Sequence, residues 1–301
     1  RDPHQPELYA ELYELFLRQH YFDKAWCCVN VLARLQLPNA DQRRFHEDYA
    51  PMPLDRVPGQ IVEQAWRSHI LHSELDIALT NILAILTPAV ARMRFGQLRP
   101  EQRVGRPFTP NHSRMHQQIR DAFDNSSEIL AVNSPELLVA DLNSIHPFAP
   151  ALAPFGGVLV CGPAIEAQSV SLLFLVGKKL AEQRPELAGR AFFPAEKELA
   201  TLLASSMRVA RNEGTKEPTG SALDAALAAA LSPQETAQLR NAMMQALADN
   251  TAFDVKRWLQ LADLSSMRAG LLIAGDIEPA RQAIGCEVTA PSDLAPREKL
   301  G

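Results

Sequence analysis

Apolar positions in the first forty residues recur at helical spacing. Tyr9, Leu12, Tyr13 and Phe16 fall on one face of a first helix, and Ala25, Val29 and Leu32 on a face of a second, a three-to-four period that predicts helix, short turn, helix. A looser helix follows in "ADQRRFHEDY". The stretch from Leu75 to Met93 is apolar almost all round but contains Asp76, Asn81 and Pro88. It falls short of the roughly 20 apolar residues a bilayer span needs, so it predicts a buried helix with a kink or stop near Pro88, and no direct membrane span. "NHSRMHQQIRDAF" predicts another helix. "PELLVADL" alternates as a strand over 137–141, and "HPFAPALAPFGGVLVCG" is a Pro- and Gly-punctuated hairpin with a short apolar second arm at 157–161.

Helices dominate the rest. One is expected over 167–184, ended before Pro185, then one over 195–211 and an alanine-rich pair over 221–250. In that pair Ser232, Pro233 and Glu235 form a capping-box start. A long helix ends at Gly275, a short one follows in "DIEPARQAI", and the tail from Thr289 has too few apolar residues to pack. The expected fold class is α+β, predominantly helical, with a small, mainly antiparallel sheet. The segments "APMPLDRVPGQ" and "RPEQRVGRPFTPN" carry linker composition. They suggest a helical region over 1–105, a second domain over 106–288 and a flexible tail over 289–301.

Composition narrows the function. With 301 residues, 47% hydrophobic and 22% charged, the chain has the make-up of a globular protein large enough for two domains. Its net charge of -5 gives no basic footprint for phosphates, which argues against nucleic acid as a partner. Four cysteines without a C-x-x-C indicate neither a zinc knot nor a disulfide framework, and they fit a reducing, cytoplasmic compartment. Because the chain opens at Arg1 inside a helical pattern, further residues are expected upstream.

The first two helices resemble a tetratricopeptide repeat. Ala25 stands at the small position of the helix crossing and Pro38 closes the unit, although Tyr9 and Tyr13 stand where the family more often has Trp and Gly. The resemblance implies a binding surface around Tyr9, Tyr13 and Trp26, within a stack of about three or more such units.

A second resemblance lies in the order of later motifs. "HPFA" (His146 to Ala149), the glycine-led "GGVLVCGPAI", "KKLAE" (Lys178 to Glu182) and "DLSSMRAG" (Asp263 to Gly270) resemble, in sequence order, the N-A-F-A turn, glycine-led strand, H-E-x-x-H helix and third-ligand helix of zinc metallopeptidases. The relevant peptidases are related to the CAAX prenyl endopeptidase and the heat-shock protease HtpX. A similar arrangement closes some large bacterial tetratricopeptide proteins. Carried over residue by residue, the resemblance puts Lys178 at the first histidine, Lys179 at the general base, Glu182 at the second histidine and Asp263 at the third-ligand glutamate. Zinc requires neutral imidazoles or carboxylates, so the implied domain is a pseudo-peptidase with no cofactor. Independently of it, Lys178 and Glu182 form an i,i+4 pair that on an exposed helix face contributes only a few tenths of a kcal/mol.

Two functional readings follow. One is a non-catalytic protein–protein interaction or scaffold module within a larger assembly. In it the strand Gly157, Val158, Leu159 and Val160 would be an exposed edge able to pair with an extended peptide. The other is a metal-dependent hydrolase with a displaced site at His112 and His116, which are four apart on a helical stretch. His69 and His72 are three apart and lack a third ligand nearby in sequence, and Cys161 without a placed histidine reads as a small buried hydrophobe.

Overall fold

The computed structural model describes residues 5–35, 38–49, 59–97, 106–139, 147–151, 156–161, 171–193, 195–211, 221–248, 252–285, 293–295 and 298–299. Helices α1 (Pro6–Arg18) and α2 (Phe22–Arg34) form the expected hairpin, and α3 (Ala40–Asp48) packs on α2. Asn39 starts α3 with a capping box to Gln42. Tyr13, Ala25, Cys28, Val29 and Phe45 close a small core of their own, in which Tyr13 meets Phe45 edge-on at 5.4 Å. Burial of the Cys28 thiol pushes its pKa up to about 11, so it behaves as an apolar filler.

A much larger core spans Trp66 to Ile273. It includes the π turn at Trp66–Ile70 that follows α4 (Glu63–Ala65), and α5 (Ile77–Gln97). The helices around Trp66 and Leu75 to Met93 therefore pack with the elements beyond residue 106, not with the hairpin. This moves the change of packing unit ahead of residue 59, and the segment between α3 and that point lies mostly outside the described residues. α5 runs straight through Pro88. Leu79, Ile82, Leu83, Leu86, Ala89 and Val90 are all buried, and that packing offsets the roughly 3 kcal/mol an internal proline costs. Thr87 donates to the Leu83 carbonyl at 2.7 Å, bonding one carbonyl of the turn that the proline weakens. Among the described residues α5 is one helix long and apolar enough to cross a bilayer, and half of its most apolar window is buried inside the protein.

Strands β1 (Arg106–Pro107), β2 (Leu137–Val139), β3 (Phe148–Pro150) and β4 (Val158–Val160) form one small sheet in the order β1-β2-β4-β3. The sheet is mixed: β2 and β4 run parallel, and the β1/β2 and β3/β4 pairings are antiparallel. The expected hairpin arms pair Phe148 with Val160. His146 and residues 140–141 of the expected turn and strand lie outside the described residues. α6 (Arg114–Ile129) precedes β2, and Ser113 caps it by accepting from the His116 backbone.

The remaining helices are α7 (Leu172–Ala181), α8 (Pro185–Phe192), α9 (Glu196–Arg211), α10 (Ala222–Ala230), α11 (Pro233–Ala248), α12 (Val255–Ala274) and α13 (Ile277–Gly285). The boundaries follow local chemistry. Pro185 opens α8, Ser232 and Glu235 exchange bonds at the start of α11, and Gly275 ends α12 at φ 65°, where a glycine carries no Cβ penalty. The helices α7 and α12 cross so closely that each needs a glycine. A Cβ at Gly177 would lie 2.8 Å from the Ile273 side chain, and one at Gly270 2.7 Å from the Phe174 carbonyl oxygen.

Candidate functional site: a buried ionic network at a helix crossing

The α7–α12 crossing brings together Lys178, Lys179, Glu182 and Asp263, the four positions singled out in the sequence. Lys178, Lys179 and Glu182 come from the end of α7, and Asp263 from the middle of α12. Asp263 is fully buried, while Lys178 and Glu182 are 8% and 6% exposed. Lys178 lies 3.4 Å from Asp263, and Lys179 donates to Glu182 at 2.6 Å. The Lys178–Asp263 pair is interior and crosses between helices, in addition to the Lys178–Glu182 pairing along one helix face that the i,i+4 spacing suggests.

Two further residues complete the network. Arg190, on the buried face of α8, donates to Glu182 at 2.6 Å through one terminal nitrogen and to Asp263 through the other. Such a forked donor is what a planar guanidinium supplies and an ammonium cannot. Lys299, from the tail, lies 3.5 Å from the second oxygen of Asp263, with its side chain 1% exposed. The tail expected to stay free thus sends one side chain into the interior. Burial pushes the Glu182 pKa up, but Lys179, Arg190 and Lys178 outweigh it, and the net shift is downward. Glu182 is accordingly a carboxylate that accepts bonds from two cations, not a protonated acid available to a reaction.

Among the described residues a narrow crevice reaches this network. A cleft of about 860 Å³ opens between the 60–63 segment, the 131–136 turn and Gly156–Gly157, with Gln183 and Arg184 on its floor. It shares Gly156, Gly157 and Gln183 with a crevice of about 10 Å³ that reaches Lys179 and Glu182. That volume is room for one water at most. The Arg184 guanidinium stacks 4.3 Å over the Trp66 ring and pairs with Glu63 and Glu186.

Other expected sites fare differently. β4 is an interior strand, bonded to β2 on one side and β3 on the other, so Gly157, Val158, Leu159 and Val160 offer no free edge. The reason is that β2 pairs with it in parallel across the sequence, a long-range pairing that a local hairpin pattern does not show. The outer strands are β1 and β3. Tyr13 is buried against Phe45, and Trp26 is partly buried, stacked on His46 at 5.2 Å and donating to its carbonyl at 3.1 Å. Those two rings serve the core of the hairpin unit, while Tyr9 is half-buried. The large apolar side chains that α1 presents to solvent are Leu12 and Leu15.

The His112 and His116 rings lie 5.0 Å apart, with Phe108 against His116 at 4.6 Å. Among the described residues no group of three or more His, Cys, Asp and Glu side chains is placed to hold a metal ion. His69 is exposed, and burial together with Arg268 holds the His72 pKa down.

Sequence reasoning missed Arg190 and Lys299. Arg190 had a readable signal, because it is the one cation among the apolar positions Leu187, Ala188 and Phe192 of a short helix. Lys299, in a segment of low apolar content, had none. Compared with known proteins, the chain matches no family model, and no curated protein and no solved structure is significantly similar to it.

Proposed function

We propose that this chain is a non-catalytic protein–protein interaction module, in which a tetratricopeptide-like hairpin is joined to a pseudo-peptidase unit that serves as a scaffold. One observation carries the reading: both carboxylates at the α7–α12 crossing are already occupied by buried cations. A carboxylate acting as metal ligand or general base needs a free lone pair facing substrate, and the described crevice that reaches Lys179 and Glu182 has room for a single water. Exposed large apolar side chains occur on both units; those on the hairpin, Leu12 and Leu15 on α1 and Tyr21, Phe22 and Tyr49 beside it, suit contact with another protein.

The test is a pair of measurements on the full chain. Purified protein is expected to hydrolyse neither casein nor a peptide library with or without added zinc, and Leu12→Glu with Leu15→Glu is expected to release an identified co-purifying partner. Zinc-dependent cleavage abolished by Glu182→Gln would overturn the reading. Cleavage abolished by His112→Ala with His116→Ala would instead establish the displaced hydrolase site.

A further inference from the structure

We propose that a cavity between α5, α9 and α10 is a binding site for a small amphiphilic anion, an apolar chain carrying one carboxylate. The proposal goes beyond the interaction reading, since no residue lining the cavity belongs to the α1–α3 unit or to the buried ionic network.

The space is of ligand size. It measures about 490 Å³, inside the range of roughly 300–1,000 Å³ common to small-molecule sites. Its apolar walls come from four places in the chain: Val90 and Met93 on α5, Phe193 between α8 and α9, Leu202 on α9 and Leu223 on α10. Val90, Phe193 and Leu202 also belong to the main core. Packing on that side therefore holds the walls in place without a ligand.

The polar side of the cavity is cationic. Arg94 and Lys197 line it against a single carboxylate, Glu198. Arg94 is fixed on three sides: one terminal nitrogen donates to the Phe192 carbonyl at 2.8 Å, the other donates to Glu198, and the guanidinium lies 4.9 Å over the Phe193 ring. Glu198 is thereby compensated. Lys197 is exposed, and among the described residues no carboxylate pairs with it. Apolar walls beside an uncompensated ammonium discriminate by charge. An alkyl carboxylate gains the burial of its chain and a charge-assisted hydrogen bond to Lys197. An alkyl ammonium of equal length gains the first and meets like charge in place of the second.

The probe is decanoate, titrated into the full chain by calorimetry while the methionine methyl groups are followed by NMR. Binding at one site is expected, with a shift of the Met93 methyl signal and none at Met244, which is 63% exposed on α11. Lys197→Glu is expected to weaken decanoate at least fivefold, and decyltrimethylammonium to bind the unmodified chain at least fivefold more weakly than decanoate does. Leu223→Trp, which puts an indole into the cavity, is expected to abolish binding. Absence of decanoate binding by the unmodified chain, a smaller loss in Lys197→Glu, or binding retained by a folded Leu223→Trp would each overturn the proposal. So would a smaller preference over decyltrimethylammonium or a Met244 shift as large as that of Met93, because either would mean that alkyl chains adsorb on any apolar surface. Should Leu223→Trp fail to fold, Lys197→Glu, at an exposed position, decides the matter with the same readouts.

Discussion

Glu182 and Asp263 are carboxylates whose partners come from two helices, α7 and α8, and the tail, so removing a carboxylate leaves opposite charges under-compensated in the interior. Glu182→Gln keeps the shape but strands Lys179 and Arg190. The expected cost is about 3–5 kcal/mol, the range for breaking a buried pair from one side, measured by denaturant unfolding. Arg190→Met, which removes one partner from each carboxylate, is expected to cost a similar amount. The pH dependence follows from the direction of the Glu182 shift. Its folded pKa is lowered below the unfolded value of about 4.3, so its contribution is fully present above the ordinary carboxylate range and is lost as pH falls through the folded value. The stability gap between the unmodified chain and Glu182→Gln should therefore be constant from about pH 6 to 8 and shrink below about pH 4. A gap that widened on acidification would mean that the carboxylate does not accept from these cations in the folded state.

At the scale of elements, the α7–α12 contact depends on two glycines that face opposite helices. At Gly270 a methyl group would meet the Phe174 backbone as well as its ring, and a carbonyl in a helix cannot rotate away as a side chain can. Gly270→Ala is therefore expected to push the helices apart at a cost of roughly 1–3 kcal/mol, typical of overpacking, with a fall in thermal midpoint. Gly96→Ala, at a position open to solvent, is expected to leave the midpoint level or slightly raised. Much of this layer was legible in sequence, because capping boxes, Pro185 and Gly275 are local signals read within four residues. The crossing itself had no local signal, because its two glycines, Gly177 and Gly270, sit on helices far apart in sequence. The errors arose where a distant partner decided the outcome. β4 became interior because β2 pairs with it, α5 ran past Pro88 because its faces are buried on several neighbours, and Lys299 is held by a residue 36 positions away.

For the whole molecule, the question is how firmly the α1–α3 unit is tied to the larger body. Its own core is small, and its described ties to the body include Arg34 with Asp276 at 3.0 Å and Glu278 at 3.8 Å, with the arginine and Asp276 side chains more than a third exposed. Exposed pairs of this kind contribute about 0–1 kcal/mol, far less than the shared apolar core that joins the Trp66–Ile70 turn and α5 to α12. The hairpin unit is therefore expected to open before the rest, as weakly buried segments do. Tyr13→Ala removes the ring that packs edge-on against Phe45, a change of a kind that costs roughly 3–5 kcal/mol. In that variant amides of α1–α3 should exchange at the rate of an unfolded chain, while α7 and α12, with Trp258 buried and donating to Thr80 at 2.9 Å, keep their protection. Tryptophan fluorescence separates the two events only in part, since Trp26 reports on the hairpin and Trp66 and Trp258 on the body. Hydrogen exchange resolved by segment is the deciding measurement. If Tyr13→Ala lowered protection in α7 and α12 as far as in α1–α3, the chain would be one cooperative unit, and the hairpin could not act as a separately mobile binding element.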